Sequence, residues 1–241
     1  MATIPSELRT VAFGGVDGRL WGGALDAGTP ALVFGADGNT GSAAGAPAIA
    51  WSRDGAGWRL AGDGFELLIS PVSDVDAQAD ALEELCTVSG WVVLSGVQHE
   101  VKCPGTRSFT SGLEVGEIES LRSVSGWFAD DDAVSLLALR PAGSAGSDRD
   151  LLAATMFTPD GLITVDEPRL STTYGGDGVP TRANLELWFG QDEEQSSRRA
   201  AAEALSPGGE VQADGIQLRV APLSCHSRGL DGVGVLLLAR F

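Results

Sequence analysis

Histidine occurs twice in this 241-residue chain, cysteine three times and tyrosine once, so few groups can do acid–base, nucleophilic or metal chemistry. The most distinctive cluster runs from Pro168 to Gly178. It sets Arg169, Ser171, Thr172, Thr173 and the single tyrosine, Tyr174, just before an Asp-Gly pair. As a strand it would place Arg169, Ser171 and Thr173 on one face and Leu170, Thr172 and Tyr174 on the other. Arg182 and Glu186 follow on the expected partner strand. Either face could line a polar pocket, with Tyr174 and Glu186 moving protons and Arg169 and Thr173 contacting ligand. The plainer alternative is cross-strand threonine and ion-pair decoration of a solvated sheet.

Asp130, Asp131 and Asp132 follow Trp127-Phe128 and precede the apolar run Ala133–Leu139. They read as a solvated turn, or as a barrel mouth where Asp130 lies beside Trp127. A carboxyl desolvated against an aromatic ring has a raised pKa and can serve as a general acid. A third region joins His99, Glu100 and Arg107 around Cys103. His99-Glu100-Val101-Lys102-Cys103 resembles a truncated H-E-x-x-H, and Cys225-His226 offers two more ligands. In a strand, however, positions four apart lie roughly 13 Å apart, too far for one ion. Adjacent Cys225 and His226 would point to opposite faces. A zinc site therefore needs pairing across strands; the sequence itself assigns no metal and no cofactor. Six tryptophans, Trp127 and Trp188 among them, could line an apolar cavity and shield a cation with their π-faces.

Several enzyme classes are excluded by absent signatures. No G-x-x-x-x-G-K-[ST] occurs, Gly55-Ala-Gly57 is followed by Leu60 where a dinucleotide fingerprint needs glycine, and Ala142-Gly-Ser144-Ala-Gly146 lacks the first glycine of a nucleophile elbow. A net charge of −17, with Lys102 the single lysine, argues against nucleic acid and anionic membranes as partners. Apolar runs are all shorter than the roughly 20 residues of a membrane span. Met1–Arg9 has neither a basic n-region nor an apolar h-region. Three cysteines make no disulfide framework, so a reduced cytoplasmic protein is expected.

The elements that must position these groups are hairpins. Asp-Gly pairs begin at Asp17, Asp37, Asp54, Asp63, Asp160, Asp177, Asp214 and Asp231. A type I′ turn needs positive φ at both central residues, which aspartate tolerates and glycine adopts freely. Period-two alternation at Phe65–Ile69, Leu185–Phe189 and Ile216–Val220 marks flanking strands. Further strands are expected at Leu8–Phe13, Arg19–Leu25, Ala31–Phe34, Trp91–Leu94, Val97–Cys103, Ile118–Phe128, Ala133–Leu139, Leu151–Phe157 and Val233–Phe241. Asp74–Leu85 and Gln195–Leu205, rich in good helix formers, could be short helices or strands. Gly35–Gly45 and Pro141–Ser147 read as loops. No fixed period supports a propeller or solenoid.

The hairpin-linked strands, the scattered tryptophans, and His99 followed by Gly105-Thr-Arg107-Ser resemble the lipocalin-like, two-barrel proteins that include carotenoid hydratases and certain terpene cyclases. The Arg-Asp-His-Ser-Trp-Gly type of motif is absent, and no catalytic residue is carried across. The expected fold is mainly β: an antiparallel barrel or two packed lipocalin-like half-barrels, with at most two short helices, in one unit dividing near residue 120. The expected function is binding of a small apolar, isoprenoid-like molecule in an internal cavity, with acid–base cyclase, hydratase or isomerase chemistry as its catalytic form. The candidate site comprises Asp130, His99, Glu186 and Tyr174 as catalytic groups and Trp127, Trp188, Arg169, Arg107 and Thr173 as ligand contacts. The competing reading is a non-catalytic β-sandwich acting as a binding or assembly module, with a homo-oligomer as one of its forms.

Overall fold

A computed structural model describes residues 7–72, 81–112, 115–144, 150–176, 178–190 and 195–241, nearly all of them in antiparallel strands. The first nine strands are β1 (Glu7–Gly14), β2 (Leu20–Asp26), β3 (Pro30–Ala36), β4 (Asn39–Ala44), β5 (Ile49–Asp54), β6 (Gly57–Gly62), β7 (Phe65–Pro71), β8 (Ala81–Leu94) and β9 (Val97–Ser111). They form one sheet in the order β4-β3-β2-β1-β9-β8-β7-β6-β5. The rest are β10 (Ile118–Trp127), β11 (Ala133–Pro141), β12 (Leu151–Thr158), β13 (Gly161–Thr164), β14 (Glu167–Tyr174), β15 (Pro180–Phe189), β16 (Ser196–Ala204), β17 (Gly209–Ala213), β18 (Ile216–Ser227) and β19 (Leu230–Arg240). The second sheet runs β13-β12-β11-β10-β19-β18-β16-β15-β14, with β17 added on β18. Both sheets curl, one into a near-barrel and the other into a half-barrel. In the second, Val165 N–H donates to the Ala154 carbonyl (3.0 Å) and Asp166 N–H to the Trp188 carbonyl (2.9 Å). These two bonds tie β12 to β15 and draw the ends of the sheet together.

Alternation along each strand sorts side chains into three cores. Val11, Phe13, Leu60, Phe65, Val88 and Val101 fill the first barrel. Val124, Leu136, Met156, Leu185, Leu223 and Leu236 fill the second. Leu25, Val33, Leu121, Trp127, Val220 and Leu237 form the layer between them. Each such fully buried side chain stabilises the fold by roughly 1.5–3 kcal/mol over its exposed state. A hydrogen bond of 2.7 Å between the Thr106 and Ser125 hydroxyls crosses the same layer. Gly23 lets the sheets approach: a Cβ there would lie 3.0 Å from Val220 and 3.3 Å from Leu237.

The expected type I′ geometry is found at two of the Asp-Gly pairs, whereas at Asp17-Gly18, Asp54-Gly55, Asp63-Gly64 and Asp160-Gly161 only the glycine has a positive φ. Asp37-Gly38 and Asp214-Gly215 have both φ angles positive, as two-residue I′ hairpins require. Ser95-Gly96 and Arg228-Gly229 make the same turn without aspartate. Asp231-Gly232 is therefore not a turn but part of β19, and Asp177 lies outside the described residues. Gly35–Gly45 is not a loop either, since it holds the end of β3 and all of β4. Both helix candidates are strands where they are described: β8 takes up residues 81–85, and β16 takes up Ser196–Ala204. Residues 74–80 of the first helix candidate lie outside the described residues, as do 145–147 of the expected loop Pro141–Ser147, whose Pro141 ends β11. The single helical element among the described residues is a 3-10 turn at Val115–Glu117, and no helix there is long and apolar enough to cross a membrane.

Candidate functional site

In β10 the alternation that sends Leu121 and Trp127 between the sheets sends Arg122 and Val124 into the second barrel. In β11 and β19 the inward phase runs on from Leu136 and Ala138 to Arg140, and from Leu236 and Leu238 to Arg240. These arginines meet Leu170, Thr172 and Tyr174 of β14 at the mouth of the barrel, around a cavity of about 660 Å³. A side chamber of about 130 Å³ adds Gln217 and Arg219 of β18. Arg122 is buried, and its Nη1 donates to the Thr172 hydroxyl (3.2 Å) and the Tyr174 hydroxyl (3.4 Å). Its Nη2 pairs with Asp150, whose side chain is 2% exposed. Arg140 donates to the same carboxylate, Nε to Oδ1 at 2.9 Å and Nη2 to Oδ2 at 3.3 Å. That hydrogen bond lifts the Arg140 guanidinium further above its ordinary range. Arg219 pairs with Glu210, whose carboxyl is held below its ordinary range, first by a hydrogen bond from Gln217 and then by Arg219. The Arg240 side chain has no ion-pair or hydrogen-bond partner among the described residues. The mouth thus combines an apolar floor, Leu170 and Leu238, with fixed guanidinium and hydroxyl donors, which suits a molecule with an apolar body and a polar end.

The first barrel holds a second buried polar group. Glu84 and Arg107, opposite each other on β8 and β9, form an ion pair with side chains 2% and 6% exposed. Arg107 Cζ sits 4.8 Å from the centroid of the Trp58 ring, which in turn packs on Trp51 at 5.7 Å. Burial pushes the Glu84 carboxyl up, against the pull of Arg107. Glu83, on the other face of β8, lies between the sheets and is hydrogen-bonded by Ser135 and Thr155. Burial raises its carboxyl too.

The residues expected from sequence are dispersed. Tyr174 borders the mouth and Arg107 lies in the first barrel. Trp127 is buried between the sheets, and Trp188 is half-buried on β15. Arg169, exposed, pairs outward with Glu167 (3.6 Å) and Glu186 (3.8 Å), and Glu186 also pairs with Arg199 (3.0 Å). Thr173 faces solvent on that same side. Asp130 is exposed in the β10–β11 turn; it is Asp132 that reaches the buried Arg198, at 2.6 Å. His99 Nδ1 is 3.8 Å from Asp37 near the β8–β9 turn. Cys103 is in the first barrel and Cys225 in the second, while the exposed His226 bonds Asp231 at 2.8 Å. No group of three metal-ligating side chains forms among the described residues. Sequence reasoning missed Arg122, Arg140, Asp150, Arg219 and Arg240. The usable signal was an arginine in phase with the inward apolar positions of three strands.

Two curled antiparallel sheets packed through a shared apolar layer define a lipocalin-like two-barrel protein. No family model and no curated protein matches the sequence. Among solved structures, the chain is similar to a protein of Nitrosomonas europaea provisionally assigned as an AttH, with a TM-score of 0.66 and 12% identity over 96% of this chain and 91% of that one. It is also similar to CghA solved with Sch210972 (TM-score 0.64, 12% identity, 98% and 89% covered). A third is kievitone hydratase from Nectria haematococca (TM-score 0.62, 8% identity, 98% and 89% covered). At these identities the likeness is one of fold.

Proposed function

We propose that the protein binds a small amphipathic molecule in the mouth of its second barrel and acts on it by acid–base chemistry of the hydratase, cyclase or isomerase kind. The observation that carries the binding is the cavity of about 660 Å³, floored by Leu170 and Leu238 and rimmed by hydroxyl and guanidinium groups. Its volume lies within the roughly 300–1,000 Å³ of small-molecule sites. The lining amends the expectation of a purely apolar, isoprenoid-like ligand: such a body suits the floor, but fixed polar donors call for a polar end. Tyr174 supplies the chemistry. Its oxygen accepts from Arg122, which leaves its own O–H to donate into the cavity toward an alkene or carbonyl. The fold shared with a hydratase supports this reading.

Binding without turnover is favoured by a different observation. Both barrel interiors are packed with apolar side chains, and Arg169 and Glu186 pair on an open face. One series of measurements separates the two. Calorimetric titration with decanol should give saturable binding that Leu170→Trp, filling the mouth, abolishes. Mass spectrometry after incubation with farnesol should show water addition or ring closure that Tyr174→Phe removes while leaving decanol binding intact. Absence of decanol binding would sink the site. Binding with no product would leave a non-catalytic carrier.

A further inference from the structure

We infer that the mouth of the second barrel selects a monoanionic head group, a carboxylate, and seats it on Arg240. The inference rests on the reading of that mouth as a ligand site and goes beyond it by naming the ligand's charge and the residue that takes it.

The charges around the cavity carry the argument. Among the described residues, four guanidinium groups face it or its side chamber: Arg122, Arg140, Arg219 and Arg240. Three carboxylates accompany them. Asp150 is shared by Arg122 and Arg140, Glu210 is paired with Arg219, and Glu119 lies exposed at the rim. Among the described residues one positive charge is left over: Glu119 acts on Arg140, so the excess falls to Arg240, whose side chain pairs with none of the three carboxylates. This is a local cationic excess in a chain whose net charge is −17.

Position sharpens it. Arg240 lies between β10 and β18, directly opposite Ser120 on one side and Gln217 on the other. Leu238, its inward neighbour two residues before, forms the floor. A carboxylate taken in the fork of the Arg240 guanidinium would have the Ser120 hydroxyl as a second donor. Its alkyl chain would then run over Leu238 and Leu170. The fork fits the two oxygens of a carboxylate, whereas a lysine would present only a point charge. A single excess charge matches a monoanion; a phosphate dianion would leave an unbalanced negative charge beside Asp150 and Glu210.

Arg240 is exposed, so screening by water limits the gain. Exposed ion pairs contribute roughly 0.2–1 kcal/mol, with ideal bidentate arginine geometry at the upper end. Decanoate should therefore bind about fivefold more tightly than decanol at low salt. The test is paired calorimetric titration of decanoate and decanol into the full chain and into Arg240→Gln. The expected result is a preference for decanoate over decanol that disappears in Arg240→Gln. The preference should also fade near 1 M salt, where the screening length is about 3 Å. Equal binding of the two probes would overturn the inference and leave the mouth a ligand site. A preference that survives Arg240→Gln would overturn it as well. Failure of both probes would remove the site itself.

Discussion

Replacing Arg107 by methionine isolates the polar pair buried in the first barrel. Arg107 and Glu84 have side chains only 6% and 2% exposed, and the guanidinium lies over Trp58. Removing the cation leaves a carboxylate in an apolar barrel with no compensating charge. Loss of one partner from a buried pair is expected to destabilise by roughly 3–5 kcal/mol. For a chain of this length each kcal/mol lowers Tm by about 2–4 °C. Urea unfolding followed by tryptophan fluorescence should therefore show a large shift of midpoint for Arg107→Met. The double variant Arg107→Met/Glu84→Leu should recover most of it, because apolar residues can replace a buried pair at little cost. The pH dependence has a definite sign. Burial already raises the Glu84 carboxyl, and Arg107 opposes that rise. Without Arg107 the carboxyl titrates higher still, so the defect of the single variant must shrink as pH falls and Glu84 takes up a proton. A single-variant loss below about 1 kcal/mol would show the pair to be effectively solvated. A double variant as damaged as Arg107→Met alone would show that shape rather than charge is at stake. Either result refutes the reasoning.

Glu83→Gln should stabilise the protein at neutral pH. Burial raises the native Glu83 carboxyl above its ordinary 4.5, so its proton-linked stability is complete below that value and is lost as pH rises through the native pKa. Melting curves of parent and variant should accordingly converge below pH 4.5. Gly90→Ala should destabilise by about 2–4 kcal/mol in the same urea assay, since φ is +137° and a Cβ would overlap the Glu66 carbonyl. Gly38→Ala, with open space around it, should lose only about 1 kcal/mol. Cys103 and Cys225, whose thiols burial pushes up to about 12, and Cys86, pushed higher still, should resist maleimide in the native state and react at the rate of unfolding.

The hairpins were legible because their signals are local: period-two alternation and glycine at positive φ act within a few residues. Where the local pattern was ambiguous or misleading, the cause is small residues whose reason lies elsewhere in the fold. Gln195–Leu205 leaves helix and strand open, because alanine favours a helix by propensity yet fits either face of a strand. In β16, Arg198, Ala200 and Ala202 point inward while Arg199 and Glu203 point out. Gly35–Gly45 reads as a loop, yet Gly41 is small because Phe34 and Leu94 lie where its Cβ would be. Gly232 likewise serves close packing against the Trp127 backbone rather than a turn. The mouth was beyond reach for a different reason. Its walls come from β10, β11, β14 and β19, and which distant strands share a barrel end is set by pairing order, not by local pattern. Tyr174 was found because its segment is compositionally odd; Arg122, Arg140 and Arg240 were passed over as the ends of apolar strands.

With one lysine against fifteen arginines, the chain's cationic chemistry is almost wholly guanidinium. Among the described residues three arginines, Arg107, Arg122 and Arg198, are buried, and each meets one carboxylate together with an aromatic face or a hydroxyl. A planar, weakly hydrated cation with several donors tolerates that setting, whereas an ammonium would deprotonate or draw in water. The acidic excess accordingly lies outside the barrels, and an anionic ligand meets two opposed fields. At a distance the net negative charge repels it, so its association should quicken as salt rises. Within the mouth the local excess at Arg240 attracts it, so its dissociation should quicken as well. Rates measured against ionic strength thus separate the surface from the site. An association rate that falls with salt would mean that the mouth, not the acidic surface, dominates the approach.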